Sequence, residues 1–228
     1  KNVLKVIGNY KGETKLIPHG VNKNFYQKPR KQKTIKSFST ELPFRLIYVS
    51  IIDVYKHQCT VVEAISILRK KSIPVIIDFV GPFYKPSLIK FNKQVDLFDP
   101  NRDFIKYLGN KDYDLLPQYY KNSDMAIFAS SCENMPNILL EMMASGLPIV
   151  CSDRGPMPEI YGSKGYYFDP ENPKEIAKTI LKLILSVDKR QSLSEYSYER
   201  AKLFNWEKTT SNTLAFMEYL IKSKKYKI

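Results

Sequence analysis

A helix that is apolar on almost every side, set between two short apolar runs, limits what this chain can fold into more than any other feature. The runs are Met125-Ala126-Ile127-Phe128-Ala129 and Leu147-Pro148-Ile149-Val150-Cys151. Between them lies Asn137-Ile138-Leu139-Leu140-Glu141-Met142-Met143-Ala144-Ser145. A helix with no polar face belongs in an interior. Flanked by two strand-length apolar runs, it describes a β-α-β crossover in a sheet covered on both faces. Asn137, Glu141 and Ser145, at i, i+4 and i+8, draw one narrow polar stripe along it. A carboxylate on a buried helix is costly unless it is hydrogen-bonded, so Glu141 needs a partner.

The same alternation extends in both directions. Strands are expected at 46–49, 74–80, 104–108, 125–129, 148–151 and 165–168, and helices at 57–71, 86–94, 115–121, 173–186, 189–203 and 206–222. Strand and helix in turn, joined by short connections, predict an α/β fold with a parallel sheet and helices on both faces. Before this pattern starts, residues 1–12 read as the tail of a helix, 14–17 as a short strand ended by Pro18, and 23–40 as a polar, basic linker. The expected organisation is a junction segment over 1–40 and one α/β unit over 41–228.

The net charge of +13 sits at the ends. Residues 1–40 hold ten Lys/Arg against Glu13 alone, and residues 221–228 add four Lys, which leaves the body neutral. A nucleic-acid groove would put the charge in the folded body, so nucleic acid is not an expected partner. Basic ends are compatible with contact at a membrane surface. No run approaches a membrane span, and the first residues lack the apolar core of a signal peptide. Cys59, Cys132 and Cys151 are scattered, which fits reduced thiols, a cytoplasmic setting and no structural zinc. There is no GxGxxG and no P-loop motif among the nine glycines.

Parallel sheets of this kind bind ligands beyond the carboxyl ends of their strands. Those ends are Ser50 to His57, Gly81, Gly109-Asn110 and Ser130 to Asn137. Pro136 suits a first helical turn and Gly146 with Pro148 a helix end. The helix start near Asn134, Met135, Pro136 and Asn137 offers free amides and the positive end of a dipole, which is an anion site. Glu133 stands at its lip. Two carboxylates beside an anion site make sense if they accept from hydroxyls, and a sugar phosphate supplies hydroxyls and anion together. The structural alternative is that Glu141 caps a buried Arg or Lys and Glu133 is a solvated loop residue.

Five segments in order resemble the retaining glycosyltransferases of family 4, the group 1 enzymes of GT-B architecture. They are Leu16-Ile17-Pro18-His19-Gly20-Val21, Tyr107-Leu108-Gly109, Glu133 with Glu141 and Ala144-Ser145-Gly146-Leu147-Pro148, Arg154-Gly155-Pro156-Met157-Pro158-Glu159, and Asn205-Trp206-Glu207. The resemblance implies the Rossmann-like, C-terminal donor-binding half of such an enzyme. It implies a nucleoside diphosphate sugar as donor, transfer with retention, and no metal or other cofactor. The acceptor, a glycan or glycolipid, would be held by an N-terminal half preceding Lys1, with work at the inner face of a membrane as the family-level setting. Glu141 would take the ribose hydroxyls, Glu133 the donor sugar near its reacting carbon, and the amides of Met135 to Asn137 the pyrophosphate. Gly109 and Asn110 would border the base. His19 and Gly20 would lie at the junction near the cleft.

The chain departs from the family at one place. The family carries Gly-Arg after the first strand and a Lys five residues beyond that Arg. The aligned residues here are Ser50, Ile51 and Lys56, so the lysine is present and the arginine is not. Charge on the leaving diphosphate is then left to Lys56, the helix start and one of Arg154, Arg102 or His57. Two rival functions remain open at this level: a sugar-nucleotide epimerase or phosphorylase on the same architecture, and a non-catalytic nucleotide-sugar-binding module.

Overall fold

The structure, a computed structural model, describes Gly8 and residues 12–223. The expectation for residues 1–12 falls almost wholly outside these. Six strands form one sheet: β1 (Phe44–Val49), β2 (Val75–Val80), β3 (Ile105–Tyr107), β4 (Met125–Phe128), β5 (Ile149–Ser152) and β6 (Tyr166–Phe168). Their order is β3-β2-β1-β4-β5-β6, and every pairing is parallel. Leu46 of β1 sits in register with Ile77 on one side and Met125 on the other.

The helices are α1 (Gln58–Lys70), α2 (Lys85–Phe98), α3 (Leu116–Lys121), α4 (Asn137–Ala144), α5 (Met157–Tyr161), α6 (Pro173–Ile184), α7 (Val187–Ala201) and α8 (Trp206–Lys222). α1 packs against α2 and α6, while α4 packs against α7. The two groups cover the two faces, which is why β2 is buried along its whole length and reads as an apolar run. Its one charge, Asp78, accepts from the Arg45 guanidinium on β1 at 2.7 Å. The later helices begin where a side chain can cap them. Asn172, Ser186 and Asn205 accept from the amides of Glu175, Lys189 and Lys208.

Two expectations about the start of the chain change. Residues 14–17 pair with no strand. Residues 23–40 do not read as a loose linker either, because they lie along the body. The Phe25 ring is fully buried against Tyr113 and Tyr120. The Gln27 amide donates to the Ala144 carbonyl at 3.0 Å. Arg30 reaches the carbonyls of Lys121 and Ser123. A polar, basic composition hid one well-placed aromatic. Among the described residues no helix is long and apolar enough to cross a membrane.

Candidate functional site

The strand order reverses between β1 and β4, with β2 and β3 on one side and β5 and β6 on the other. The carboxyl ends of those two strands diverge and leave a crevice. Two loops line it: residues 50–57, which lead into α1, and residues 129–136, which lead into α4.

The first loop holds Lys56. A lysine is rarely buried unless it is paired, yet Lys56 is only 5 % exposed. Its ammonium is ion-paired with Glu133 from the second loop. It also lies 4.9 Å from the Tyr55 ring centroid and 5.7 Å from that of Phe128, a cation–π setting that offsets part of its lost hydration. The carbonyl of Lys56 accepts from the Tyr48 hydroxyl at 2.7 Å. Lys56 is therefore not an ordinary surface lysine, and Glu133 is not a solvated loop residue.

His57 follows in the left-handed region, with φ of 52°. Its Nε2 lies 2.8 Å from the Ser131 hydroxyl, and burial holds the imidazole below its ordinary pKa. The Ser131 amide donates to the Tyr55 carbonyl at 2.9 Å. The two loops are thus joined by an ion pair, a side-chain bond and a backbone bond. Of the three groups considered for the missing arginine, only His57 belongs to these loops. Arg154 is engaged by the carboxylates of Asp153, Asp169 and Glu171. Arg102 precedes β3, at the opposite end of the sheet, and pairs with Asp96.

The helix starts at the last of the four residues expected there. α4 begins at Asn137, with Pro136 in the capping position and no side-chain cap. Asn134, Met135 and Pro136 form the bend before it. The Asn137 side chain is exposed, and its Oδ1 lies 3.0 Å from Nδ1 of His19. His19 also stacks on Trp206, with ring centroids 5.8 Å apart. Gly20 is buried, and a Cβ there would lie 2.2 Å from the Trp206 amide nitrogen. This glycine lets the junction segment touch the start of α8. Ser50 is buried at the end of β1, its hydroxyl without a partner. Gly109 has φ of 71° and open space around it, and Asn110 beside it is exposed.

Glu141 is 6 % exposed, and its partner is not an arginine or lysine. The Tyr113 hydroxyl donates to its Oε1 at 3.0 Å. Burial pushes the carboxyl up to about 7, and the Tyr113 bond opposes that only in part. The folded protein therefore keeps this proton between pH 4.5 and about 7 while the unfolded chain releases it. Stability falls as pH rises through that window. The wild type should lose roughly 2–3 kcal/mol between pH 5 and pH 8 relative to Glu141→Gln, read from urea unfolding at both pH values. Parallel pH profiles for the two proteins would show that Glu141 titrates normally.

Sequence reasoning overlooked Tyr113, which lies between Asp112 and Asp114. Asp112-Tyr113-Asp114 is an Asp-x-Asp run, so the absence of that motif, expected as support for a metal-free site, does not hold. Among the described residues no cluster of three or more His, Cys, Asp or Glu is arranged to hold a metal ion.

The sequence profile described as Glycosyl transferases group 1 matches residues 29–200. Spore coat protein SA of Bacillus subtilis (strain 168) is 38 % identical over 120 residues, 50 % of this chain and 31 % of that protein. The O-antigen chain mannosyltransferase B of Escherichia coli is 31 % identical over 111 residues, 49 % of this chain and 29 % of that protein. This chain thus aligns with under a third of the length of either relative. The crystal structure of Anabaena HepE in complex with UDP and glucose superposes with a TM-score of 0.74 at 20 % identity, covering 91 % of this chain and 56 % of that one. That likeness is one of fold.

Proposed function

This chain belongs to the group 1 glycosyl transferases, and from that premise we propose that it is the donor-binding half of a retaining, metal-independent enzyme that moves a sugar from a nucleoside diphosphate to an acceptor hydroxyl. The reading is carried by one observation. Lys56 pairs with the Glu133 loop where the strand order reverses, and that loop runs directly into α4, the helix that carries Glu141.

The diphosphate meets the amides at the start of α4, where the helix dipole favours negative charge. Donor hydroxyls replace Lys56 as the partner of Glu133, and the released ammonium turns to the leaving diphosphate. The Lys56–Glu133 pair thus exchanges partners when the donor arrives. Glu141 accepts from the ribose hydroxyls, and Gly109 and Asn110 border the base. Solved neighbours that hold UDP and UDP-glucose support this donor class. The acceptor, a glycan or glycolipid, is held by another part of the full-length protein.

A second reading, a module that binds nucleotide sugars without turning them over, draws on position 51. The Ile51 carbonyl is tied to the Gln58 side chain at 2.7 Å, and Arg102 and Arg154 are both ion-paired elsewhere.

Calorimetry on this chain with UDP, GDP and ADP tests the shared premise. At least one should bind, with affinity unchanged by EDTA. Glu141→Ala should weaken that binding by about 1–3 kcal/mol, the worth of hydrogen bonds to a charged group. Binding of none of the three would overturn both readings. Product anomer analysis by NMR on the full-length protein separates them, since the module yields no product and the enzyme yields one that keeps the donor's anomeric configuration.

A further inference from the structure

Asn137 opens α4, and two of the first three amides of that helix are already used inside the protein. The Asn137 amide donates to the Met135 carbonyl at 3.0 Å, and the Leu139 amide to the Pro136 carbonyl at 3.0 Å. A helix start that has spent amides in this way has fewer to offer an anion. The Asn137 side chain stands at the same place and is exposed. Its carboxamide has an acceptor, Oδ1, at one end and two donors, on Nδ2, at the other. Which end faces outward decides whether α4 adds donors or repulsion at a diphosphate.

His19 sets that choice. Its Nδ1 lies 3.0 Å from Asn137 Oδ1. Oδ1 only accepts, so Nδ1 carries the proton and donates. With Oδ1 held there, Nδ2 is the end left for a ligand. His19 is held in turn. Its ring stacks on Trp206 with centroids 5.8 Å apart. The backbone beside it is pressed to the start of α8, where a Cβ on Gly20 would lie 2.2 Å from the Trp206 amide nitrogen and 2.5 Å from the Asn205 carbonyl carbon.

We propose that His19 is a positioning residue for the diphosphate: it holds Asn137 Oδ1, so that the Nδ2 donors of Asn137 are turned to the anion. The proposal rests on the donor-site reading above. It gives α4 two oriented donors in a chain that has Ile51 where the family has an arginine. It also gives the junction segment, 118 positions before Asn137, a part in donor binding.

Calorimetry with UDP, GDP and ADP on a small set of variants tests this, and both side chains are exposed, so the variants should fold. Asn137→Ala removes the donors and should weaken nucleotide binding about tenfold, the size of one hydrogen bond to a charged group. His19→Ala frees the carboxamide to turn and should cost about fivefold, the size of one net hydrogen bond. Added to Asn137→Ala it should cost less than about twofold more, because it acts only through that side chain. His19→Asn puts its Nδ2 where Nδ1 stood and should bind within about twofold of wild type. His19→Gln, whose amide extends to the Nε2 position, should bind as weakly as His19→Ala. Unchanged binding by His19→Ala would overturn the proposal. So would additive losses in the double variant, or equal rescue by Asn and Gln. In each of those cases nucleotide still binds and the donor-site reading stands. If none of the three nucleotides binds the wild type, it is that reading that has failed, and the role of His19 falls with it.

Discussion

Glu133→Ala should cost about 3–5 kcal/mol of folding stability and abolish turnover in the full-length protein. The structural half of this follows from Lys56. Its ammonium is enclosed by Glu133, Tyr55 and Phe128, and the two rings do not replace a carboxylate. Removing one partner of an enclosed ion pair leaves the other uncompensated, which is far more harmful than removing both. The double variant Lys56→Met with Glu133→Leu should therefore recover most of the loss in urea unfolding. A drop below about 1 kcal/mol for Glu133→Ala would mean that Lys56 swings into water at little cost. The catalytic half is tested with Glu133→Gln, which keeps volume and hydrogen bonding but not charge. It should hurt turnover much more than nucleotide affinity, and equal losses would contradict a role at the sugar.

The second large effect lies away from the site. Arg190 of α7 is fully buried, and no carboxylate forms an ion pair with it among the described residues. Its guanidinium donates to the carbonyls of Leu183, at 2.6 Å, and Ile184, at the carboxyl end of α6. It also reaches the Lys33 carbonyl and the Gln32 side chain, and it lies over the Phe44 ring. A helix terminus favours a cation there, and three carbonyls share the work a counter-ion would do. Arg190→Ala leaves those acceptors and a cavity behind, and about 4 kcal/mol should be lost. Trypsin should then cut at Lys31 or Lys33 much sooner than in the wild type. Unchanged protection at those lysines would mean that other contacts hold the segment.

Element type and the parallel sheet were largely legible because the signals were local and strong. β2 is apolar throughout, and the run from Met125 to Cys151 is a complete crossover. Glu133 could be nominated from its place beyond a strand end, Glu141 from the polar stripe on a buried helix, and Lys56 from the resemblance to the family. What could not be read was partnership. Nothing local in the sequence says that Lys56 meets Glu133 77 positions away, or that Tyr113 rather than a cation answers Glu141. Residues 23–40 misled for a related reason. Besides the Phe25 ring and the Arg30 side chain, their contacts run through the Gln27 amide and the Lys33 carbonyl, which no side-chain pattern encodes. α5 escaped notice because five residues, two of them Met157 and Pro158, carry too little periodicity.

The segment from His19 to Gln27 touches both ends of α4. His19 meets Asn137 at the start, and the Gln27 amide bonds to Ala144 at the finish. At Gly146, just beyond, a Cβ would lie 2.5 Å from the Gln27 carbonyl oxygen. In mechanical terms the helix is splinted from outside. A pull on the chain ahead of Pro18 would not be absorbed by slack before β1. It would load α4 at its amino-terminal end first, so force applied to that stretch of chain and binding at the proposed anion site would be coupled through a lever one helix long.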